Sequence, residues 1–147
     1  MIERKKLRMY LLNAITYGSF TLHSGDKSTW ICDILKVRDK FNEFLFELFP
    51  TKPLVGIEFG GALLAYSWSP FSGIYRKDGS IYLPSGTQHD ISLIDDVVTT
   101  ETSMKEAENG LREIGVNIVE RLCILDRRKN PVLEIKSLFT ASDFNLL

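Results

Sequence analysis

A strand, a glycine turn and an apolar helix follow one another directly within residues 54–68, and this unit constrains the fold most. The segment LVGIEF has the composition of a short buried strand, and Gly60 and Gly61 then open the apolar helix ALLAYSW. This order of elements is the unit from which parallel sheets are built. The sequence therefore favours an α/β domain.

The rest of the chain continues this alternation of strands and helices. We predict one domain over residues 1–147, with a twisted, mainly parallel sheet flanked by helices. The predicted helices cover residues 2–16, 35–49 and 102–115, with Gly115 at the C-terminal cap of the last. Two hairpins are predicted, one over residues 18–34 and a minor one at SIYLP. The further predicted strands are FSGIYR, ISLIDDV, VNIVERLCILD and VLEIKSLFTASDF.

The overall charge excludes some classes of partner. Eighteen Lys and Arg residues against nineteen Asp and Glu residues give 147 residues a net charge of -1. Such a balance offers no broad basic surface for a nucleic acid backbone or an anionic membrane. Cys32 and Cys123 lack metal-ligand spacing, and no apolar run reaches transmembrane length, so we expect reduced thiols in a cytoplasmic protein.

The stretch ISLIDDVVTTETS, residues 91–103, carries the chemistry. Ligands of open α/β sheets bind at the carboxyl ends of strands, where Asp95 and Asp96 fall. Adjacent carboxylates can accept hydrogen bonds from the vicinal hydroxyls of a ribose or help to hold a divalent cation. The hydroxyl-rich loop that follows enters a helix, whose N-terminal N–H groups attract phosphate. The pattern favours a ribose 5-phosphate site; the alternative is that the aspartates cap the sheet edge while Thr102 or Ser103 caps the helix.

The segment IDDVVTTETS resembles the phosphoribosyl pyrophosphate (PRPP) motif of the type I phosphoribosyltransferases. Three further segments are similar to orotate phosphoribosyltransferases: GSFTLHSGDKSTW to their amino-terminal hairpin, GLREIGVNIVERLCILDRR to their helix, strand and Leu-Asp-Arg ending, and SLFTASDF to their closing strand. The resemblance runs in order from about residue 11 to about residue 144. It implies the type I phosphoribosyltransferase fold, with a small N-terminal hairpin hood.

The resemblance also implies a reaction and the residues that carry it. A base would displace pyrophosphate from the anomeric carbon of PRPP, with Mg²⁺ as cofactor and a homodimer as the assembly. Asp95, Asp96 and Lys77 are the implied catalytic residues. The implied PRPP-binding residues are Asp95, Asp96, Thr99, Thr100, Glu101, Thr102, Ser103, Arg76, Lys77, Gly60 and Gly61. The implied contacts of a pyrimidine-like base are His23, Trp30, Thr99 and Arg127.

The sequence departs from the family pattern at four places. The segment RKDGSIYLPSGTQHD is shorter than the family's mobile loop and lacks its further lysine, for which Lys77 and His89 are the candidate replacements. Glu101 stands where the family carries a small residue, and a carboxylate there repels phosphate unless it points outward or a cation intervenes. His23 replaces a lysine, and Ile31 with Cys32 replaces aromatic residues of the base pocket.

These departures leave three hypotheses. The leading one is a PRPP-dependent phosphoribosyltransferase that uses orotate or a related base. The second is a module that binds PRPP or a nucleotide without turnover, for regulation or as the partner of a catalytic subunit. The shortened segment at residues 77–90 discriminates these two. The third is an α/β domain that binds nothing of this kind.

Overall fold

The computed structural model describes residues 3–22, 24–69, 72–84 and 89–146. None of the helices in these ranges has both the length and the apolar character needed to cross a membrane. The α-helices are α1 (Arg4–Leu12), α2 (Phe41–Leu48), α3 (Gly60–Trp68) and α4 (Thr102–Glu113), and 3-10 helices cover Ile34–Lys40 and Ala141–Phe144. The strands are β1 (Ile15–Thr21), β2 (Lys27–Cys32), β3 (Leu54–Ile57), β4 (Gly73–Tyr75), β5 (Ile81–Tyr82), β6 (Asp90–Val98), β7 (Asn117–Asp126) and β8 (Lys136–Thr140).

Among the described strands, six form the main sheet in the order β5-β4-β3-β6-β7-β8. Every neighbouring pair is parallel except β4 with β5. The segment SIYLP, predicted to form a minor hairpin by itself, supplies only β5, which pairs with β4. Strands β1 and β2 pair antiparallel in a separate two-stranded hairpin. The predicted α/β class, with a mainly parallel sheet and an N-terminal hairpin, is therefore confirmed.

Strand β6 lies in the middle of this sheet and is covered on both faces. Ile91 and Leu93 belong to the apolar cluster that contains Met104 and Leu111 of α4, whereas Ile94 belongs to the cluster that contains α1, α2 and α3 residues. Side chains alternate between the faces of a strand, so a strand buried on both faces has a continuous apolar run. The core therefore fixes β6 along its length.

The register of β3 and β6 determines where the chemistry-bearing residues lie. Gly56 of β3 pairs with Ile94 of β6, and the two strands are parallel. Both strands therefore end at the same edge of the sheet, with the turn that follows β3 beside Asp95 and Asp96. A Cβ atom on Gly56 would lie 2.6 Å from the Cα of Ala62, so the start of α3 packs closely on β3.

Two predicted helices differ from the structure. The helix expected over residues 2–16 ends at Leu12, because the Ala14 N–H donates to Leu11 and Ile15 already pairs with Cys32. The helix expected over residues 35–49 is divided into a 3-10 segment and α2, because the backbone of Lys40 (φ -108°, ψ 6°) is not helical. The 3-10 segment is itself kinked at Val37 (φ -120°, ψ 26°). Apolar spacing does not separate a 3-10 turn from an α-helix over so few residues.

Candidate active site

Asp95 and Asp96 line a cleft of about 710 Å³ at the carboxyl end of the sheet. Each carboxylate accepts a hydrogen bond from the next backbone amide, Asp95 Oδ1 from Asp96 and Asp96 Oδ1 from Val97, both at 2.8 Å. Burial, with the negative charge of Asp96, raises the pKa of Asp95 well above its ordinary value. The pair therefore resists carrying two full charges until a hydrogen-bond donor or a cation approaches it.

The glycine turn after β3 packs directly against these carboxylates. A Cβ atom on Gly60 would collide with the carboxylate of Asp96, and one on Gly61 would collide with the Ile94 carbonyl and lie 2.9 Å from the Cα of Asp95. The turn contains a cis peptide bond between Glu58 and Phe59. Gly60 lines the cleft, whereas Gly61 lies behind it against β6. Close packing on β6 therefore requires both glycines.

The loop between β6 and α4 forms another wall of the cleft. Thr99, Thr100 and Ser103 line the cleft, and the Thr100 hydroxyl lies 3.3 Å from that of Thr102. Helix α4 begins at Thr102, and its first intrahelical hydrogen bond runs from the Lys105 N–H to the Glu101 carbonyl at 2.8 Å. The N–H groups that precede Lys105 have no acceptor within the helix, so this wall carries the partial positive charge of a helix N-terminus.

Glu101 does not face the cleft, although the resemblance placed it among the PRPP-binding residues. Its side chain is 8% exposed, and Oε2 accepts hydrogen bonds from Arg128 Nη1 at 2.7 Å and from the backbone amides of Val132 and Leu133 at 2.6 and 2.9 Å. Burial alone would raise the pKa of this carboxyl, but these donors outweigh it and lower the pKa to about 2. Glu101 is an ionised, structurally bound carboxylate.

Arg76 and Lys77 line the cleft at the end of β4. Their backbone is held by the β4–β5 hairpin, in which the Arg76 amide donates to Ser80, and by the Glu58 carboxylate, which accepts from the Lys77 amide at 2.9 Å. The Glu58 amide in turn donates to the Tyr75 carbonyl at 2.9 Å. These hydrogen bonds join the glycine turn and the cationic pair into one wall.

Arg127 connects the main sheet with the N-terminal hairpin. Its Nη2 donates to the Ser28 hydroxyl at 2.7 Å and its Nη1 to the Trp30 carbonyl at 3.3 Å, while the guanidinium lies 3.5 Å from the centre of the Trp30 ring. Arg127 also lines the cleft. Trp30 does not, because its side chain is 5% exposed within the core and one face of its ring is covered by Arg127. Trp30 therefore lies outside the cleft wall in this structure, and its implied contact with a base stays a prediction.

The hairpin side of the cleft is mostly apolar. Its lining includes Ile31, Cys32, Asp33 and Ile34, together with Thr21 and Ser24. Burial, and then the charges of Asp96 and Asp33, raise the pKa of Cys32 to about 12, so its thiol stays protonated at neutral pH. The prediction for His23 falls outside the described residues.

His89 does not reach the cleft. It is exposed and directly precedes β6, whereas Asp95 and Asp96 lie toward the other end of that strand. Six residues of extended chain separate His89 from Asp95, which is about 20 Å. His89 therefore cannot replace the family's missing loop lysine, and Lys77 is the candidate that lies in the cleft.

The cleft thus gathers most, but not all, of the residues singled out in the sequence. Gly61, Glu101, Thr102 and Trp30 lie outside its lining. The residues that line it are Gly60, Arg76, Lys77, Asp95, Asp96, Thr99, Thr100, Ser103 and Arg127. Sequence reasoning missed Glu58 and Asp33, which also line the cleft, and Arg128, which holds Glu101. The position of Glu58 directly before the glycine turn was the available signal for that residue.

Comparison with known proteins gives consistent sequence matches. The chain is 31% identical to the orotate phosphoribosyltransferase of Thermoplasma volcanium over 133 residues, which cover 79% of this chain and 80% of that protein. It is 33% identical to the orotate phosphoribosyltransferase of Methanocella arvoryzae, with 79% and 77% covered. No protein-family model matches the chain.

Solved structures show the same fold. Orotate phosphoribosyltransferase from Aeropyrum pernix superposes with a TM-score of 0.75 at 19% identity, over 93% of this chain and 95% of that one. The Mycobacterium tuberculosis enzyme, solved in complex with PRPP, superposes with a TM-score of 0.74 at 18% identity, over 97% and 99%. With the sequence matches above 30% identity, these likenesses establish that the chain belongs to the orotate phosphoribosyltransferase family.

Proposed function

We propose that the protein transfers the phosphoribosyl group of PRPP to orotate or a related base, with release of pyrophosphate. The observation that carries this proposal is the single cleft shared by the Asp95–Asp96 pair, the hydroxyl loop and the Arg76–Lys77 pair. These groups match, in order, the ribose hydroxyls, the 5-phosphate and the diphosphate of PRPP. The relatives at 31% and 33% identity are enzymes by name, so a module without turnover is not favoured.

The ribose end of PRPP would be held by hydrogen bonds from its hydroxyls to Asp95 and Asp96. Its 5-phosphate would accept hydrogen bonds from the hydroxyls of Thr99, Thr100 and Ser103 and from the N-terminal N–H groups of α4. None of these contacts involves the bonds that break or form in the reaction. They fix the anomeric carbon between the leaving group and the base, which is a contribution of positioning.

The leaving pyrophosphate would be stabilised by Arg76 and Lys77. A guanidinium can bind phosphate oxygens bidentately, and an ammonium adds a mobile point charge. As the bond from the anomeric carbon to the diphosphate oxygen breaks, negative charge grows on the diphosphate, and cations beside it favour that state over the ground state. Lys77 is thus the residue proposed to replace the family's loop lysine.

The base would lie on the hairpin side of the cleft, next to Arg127. The apolar lining formed by Ile31 and Cys32 suits the faces of a flat ring, and the Arg127 guanidinium suits a carboxylate or carbonyl at the ring edge. Thr99 lines the same cleft and is proposed to contact both the PRPP and the base. A ring nitrogen of the base then forms a bond to the anomeric carbon and gives up its proton, while the bond to the diphosphate oxygen breaks and the diphosphate leaves with the electron pair.

Magnesium fits this site as a partner of the substrate. Among the described residues, no group of three or more His, Cys, Asp or Glu side chains is arranged to hold a metal ion. Asp95 and Asp96 nevertheless supply hard oxygen ligands, and Mg²⁺ in proteins commonly combines one or two carboxylates with substrate phosphates. When bound, the ion would neutralise the charge of the diphosphate leaving group. The homodimer, the single domain and the cytoplasmic location stay predictions.

The test is calorimetric titration with PRPP and Mg²⁺, followed by addition of orotate and measurement of pyrophosphate release. Wild type should bind PRPP and release pyrophosphate only when a base is present. Asp95→Asn with Asp96→Asn should abolish binding with the fold retained in the circular dichroism spectrum. The matched control is Asp90→Asn, at the opposite end of β6, which should bind PRPP as wild type does. Undiminished affinity of the Asp95–Asp96 variant would refute the site.

A further inference from the structure

The side chains of the loop between β6 and α4 point in two directions, toward the cleft and toward the protein interior. Thr99, Thr100 and Ser103 line the cleft, whereas the side chain of Glu101, at the centre of the same loop, points into the protein. One of its two carboxylate oxygens, Oε2, accepts three hydrogen bonds, one from Arg128 and two from the backbone amides of Val132 and Leu133. The loop tip is therefore attached to the segment that follows β7, 27 to 32 residues along the chain.

Arg128 is itself rigidly held. Its guanidinium is 5% exposed and donates to Asp126 through Nε at 3.0 Å and through Nη2 at 2.7 Å. Its Nη1 donates both to Glu101 and to the Leu133 carbonyl, each at 2.7 Å. A buried guanidinium with this many fixed acceptors has little rotational freedom. The anchor that Glu101 reaches is consequently a fixed point of the sheet edge.

The charges of this cluster compensate one another. Arg128 lies between the carboxylates of Asp126 and Glu101, and the Lys105 ammonium lies 3.5 Å from Glu101 Oε1. The positive charges of Arg128 and Lys105 thus balance the negative charges of Asp126 and Glu101. The loop carboxylate adds little net negative charge near a bound phosphate, because its own cations are closer to it than the cleft is.

We propose that Glu101 is a positioning residue that holds the phosphate loop in its binding conformation by tying the loop tip to Arg128, Val132 and Leu133. The role of the loop in binding the 5-phosphate rests on the proposed function. A loop that is ordered before the ligand arrives pays no ordering entropy on binding. A glycine at this position could form no such side-chain anchor.

The experiment compares Glu101→Gly with Glu101→Gln and with a control, Glu113→Gln, on the exposed end of α4. Glycine removes the anchor. Glutamine keeps an oxygen that can accept from Val132 and Leu133, and so should restore most of the wild-type behaviour. Two readouts are needed: hydrogen–deuterium exchange of amides 98–104 without ligand, and the kinetic constants for PRPP.

Glu101→Gly should raise amide exchange in the loop and raise KM for PRPP at least about tenfold, with kcat within about twofold of wild type. Glu101→Gln should fall near wild type, and Glu113→Gln should equal it. If Glu101→Gly fails to fold, Arg128→Lys is the second test, because an ammonium cannot serve Asp126, Glu101 and Leu133 together. In Arg128→Lys, KM for PRPP should again rise while kcat stays within about twofold of wild type.

Unchanged loop exchange in Glu101→Gly would overturn the proposal, and so would PRPP affinity equal to or tighter than that of wild type. The latter result would mean that the carboxylate hinders phosphate. If wild type neither binds PRPP nor releases pyrophosphate, the proposed function fails, and the exchange measurement still decides whether Glu101 orders the loop. The two failures are therefore distinguishable.

Discussion

At the scale of single residues, the Asp96 carboxylate fills the space that a side chain at position 60 would occupy. We predict that Gly60→Ala lowers the free energy of unfolding by about 2 kcal/mol, because the added methyl group collides with the Asp96 carboxylate. Chemical denaturation measures this. In an Asp96→Ala background the same change should cost clearly less, and a cost that does not depend on Asp96 would contradict the packing argument.

Asp95 gives a prediction about pH. Its pKa is raised above 3.8 in the folded state, by burial and by Asp96, so the unfolded chain loses this proton first as the pH rises. The contribution of Asp95 to the free energy of unfolding therefore falls as the pH rises above 3.8, by at most about 1.4 kcal/mol per pH unit. Asp95→Asn cannot ionise and keeps the oxygen that accepts from Asp96.

The variant Asp95→Asn should accordingly match wild type below pH 3.8 and become the more stable protein as the pH rises, as measured by denaturation from pH 3 to pH 8. Asp90→Asn, on the exposed end of the same strand, is the matched control. A difference that shrinks with rising pH would mean that the carboxyl of Asp95 is stabilised in its ionised form.

The pKa of Glu101 is shifted in the opposite direction to that of Asp95. Burial alone would raise its pKa, but the Val132, Leu133 and Arg128 donors lower it from 4.5 to about 2. The folded state therefore holds this proton less tightly than the unfolded state, and the resulting stability is complete above pH 4.5 and is lost toward about pH 2. Wild type should exceed Glu101→Gln in stability at pH 6, and the gap should close on acidification. A gap that stays constant between pH 6 and pH 2 would contradict the assignment.

At the scale of elements, the N-terminal hairpin is attached to the sheet through Arg127. We predict that Arg127→Ala increases amide exchange in β1 and β2, because Trp30 loses its guanidinium contact and Ser28 its donor. Loss of the partly buried hydrogen bond and the cation–π contact should cost about 2 kcal/mol. Arg38→Ala, which removes only an exposed hydrogen bond to Leu35, is the control and should leave hairpin exchange unchanged.

Some elements could be predicted from sequence and others could not, for physical reasons. The β3–α3 and β6–α4 units were predictable, since apolar runs, glycines and hydroxyls mark them locally. The division of residues 34–48 into a 3-10 helix and α2 was not, because the two helix types bury similar positions. The Glu101–Arg128 pair was not predictable either, since 27 residues separate its members and pairing depends on the register of β6 with β7.

At the scale of the whole molecule, ligand binding should be visible as stabilisation. If PRPP with Mg²⁺ binds only the folded state, a concentration of 100 Kd adds about 2.7 kcal/mol, which for a chain of this size raises Tm by roughly 5–10 °C. Thermal unfolding monitored by circular dichroism measures the shift. Asp95→Asn with Asp96→Asn should show none, and an equal shift in that variant would mean that PRPP binds elsewhere.

The whole-molecule architecture was the part most accessible from sequence, whereas the details of the cleft were not. A mainly parallel sheet with ligands at its carboxyl edge follows from the order of the elements. The burial of Trp30 outside the cleft lining shows the limit: an aromatic residue near a site in sequence is as suited to the core as to a ligand, and only packing decides.

The contact between Gly60 and Asp96 has a consequence for how such a chain can diverge. The two positions belong to different motifs, yet a side chain at one excludes the present side chain at the other. A lineage could lose the carboxylate first and then acquire a larger residue in the turn, but the reverse order passes through a destabilised intermediate. Substitutions at this pair therefore have a preferred order. As long as the Asp96 carboxylate is kept, position 60 is restricted to glycine.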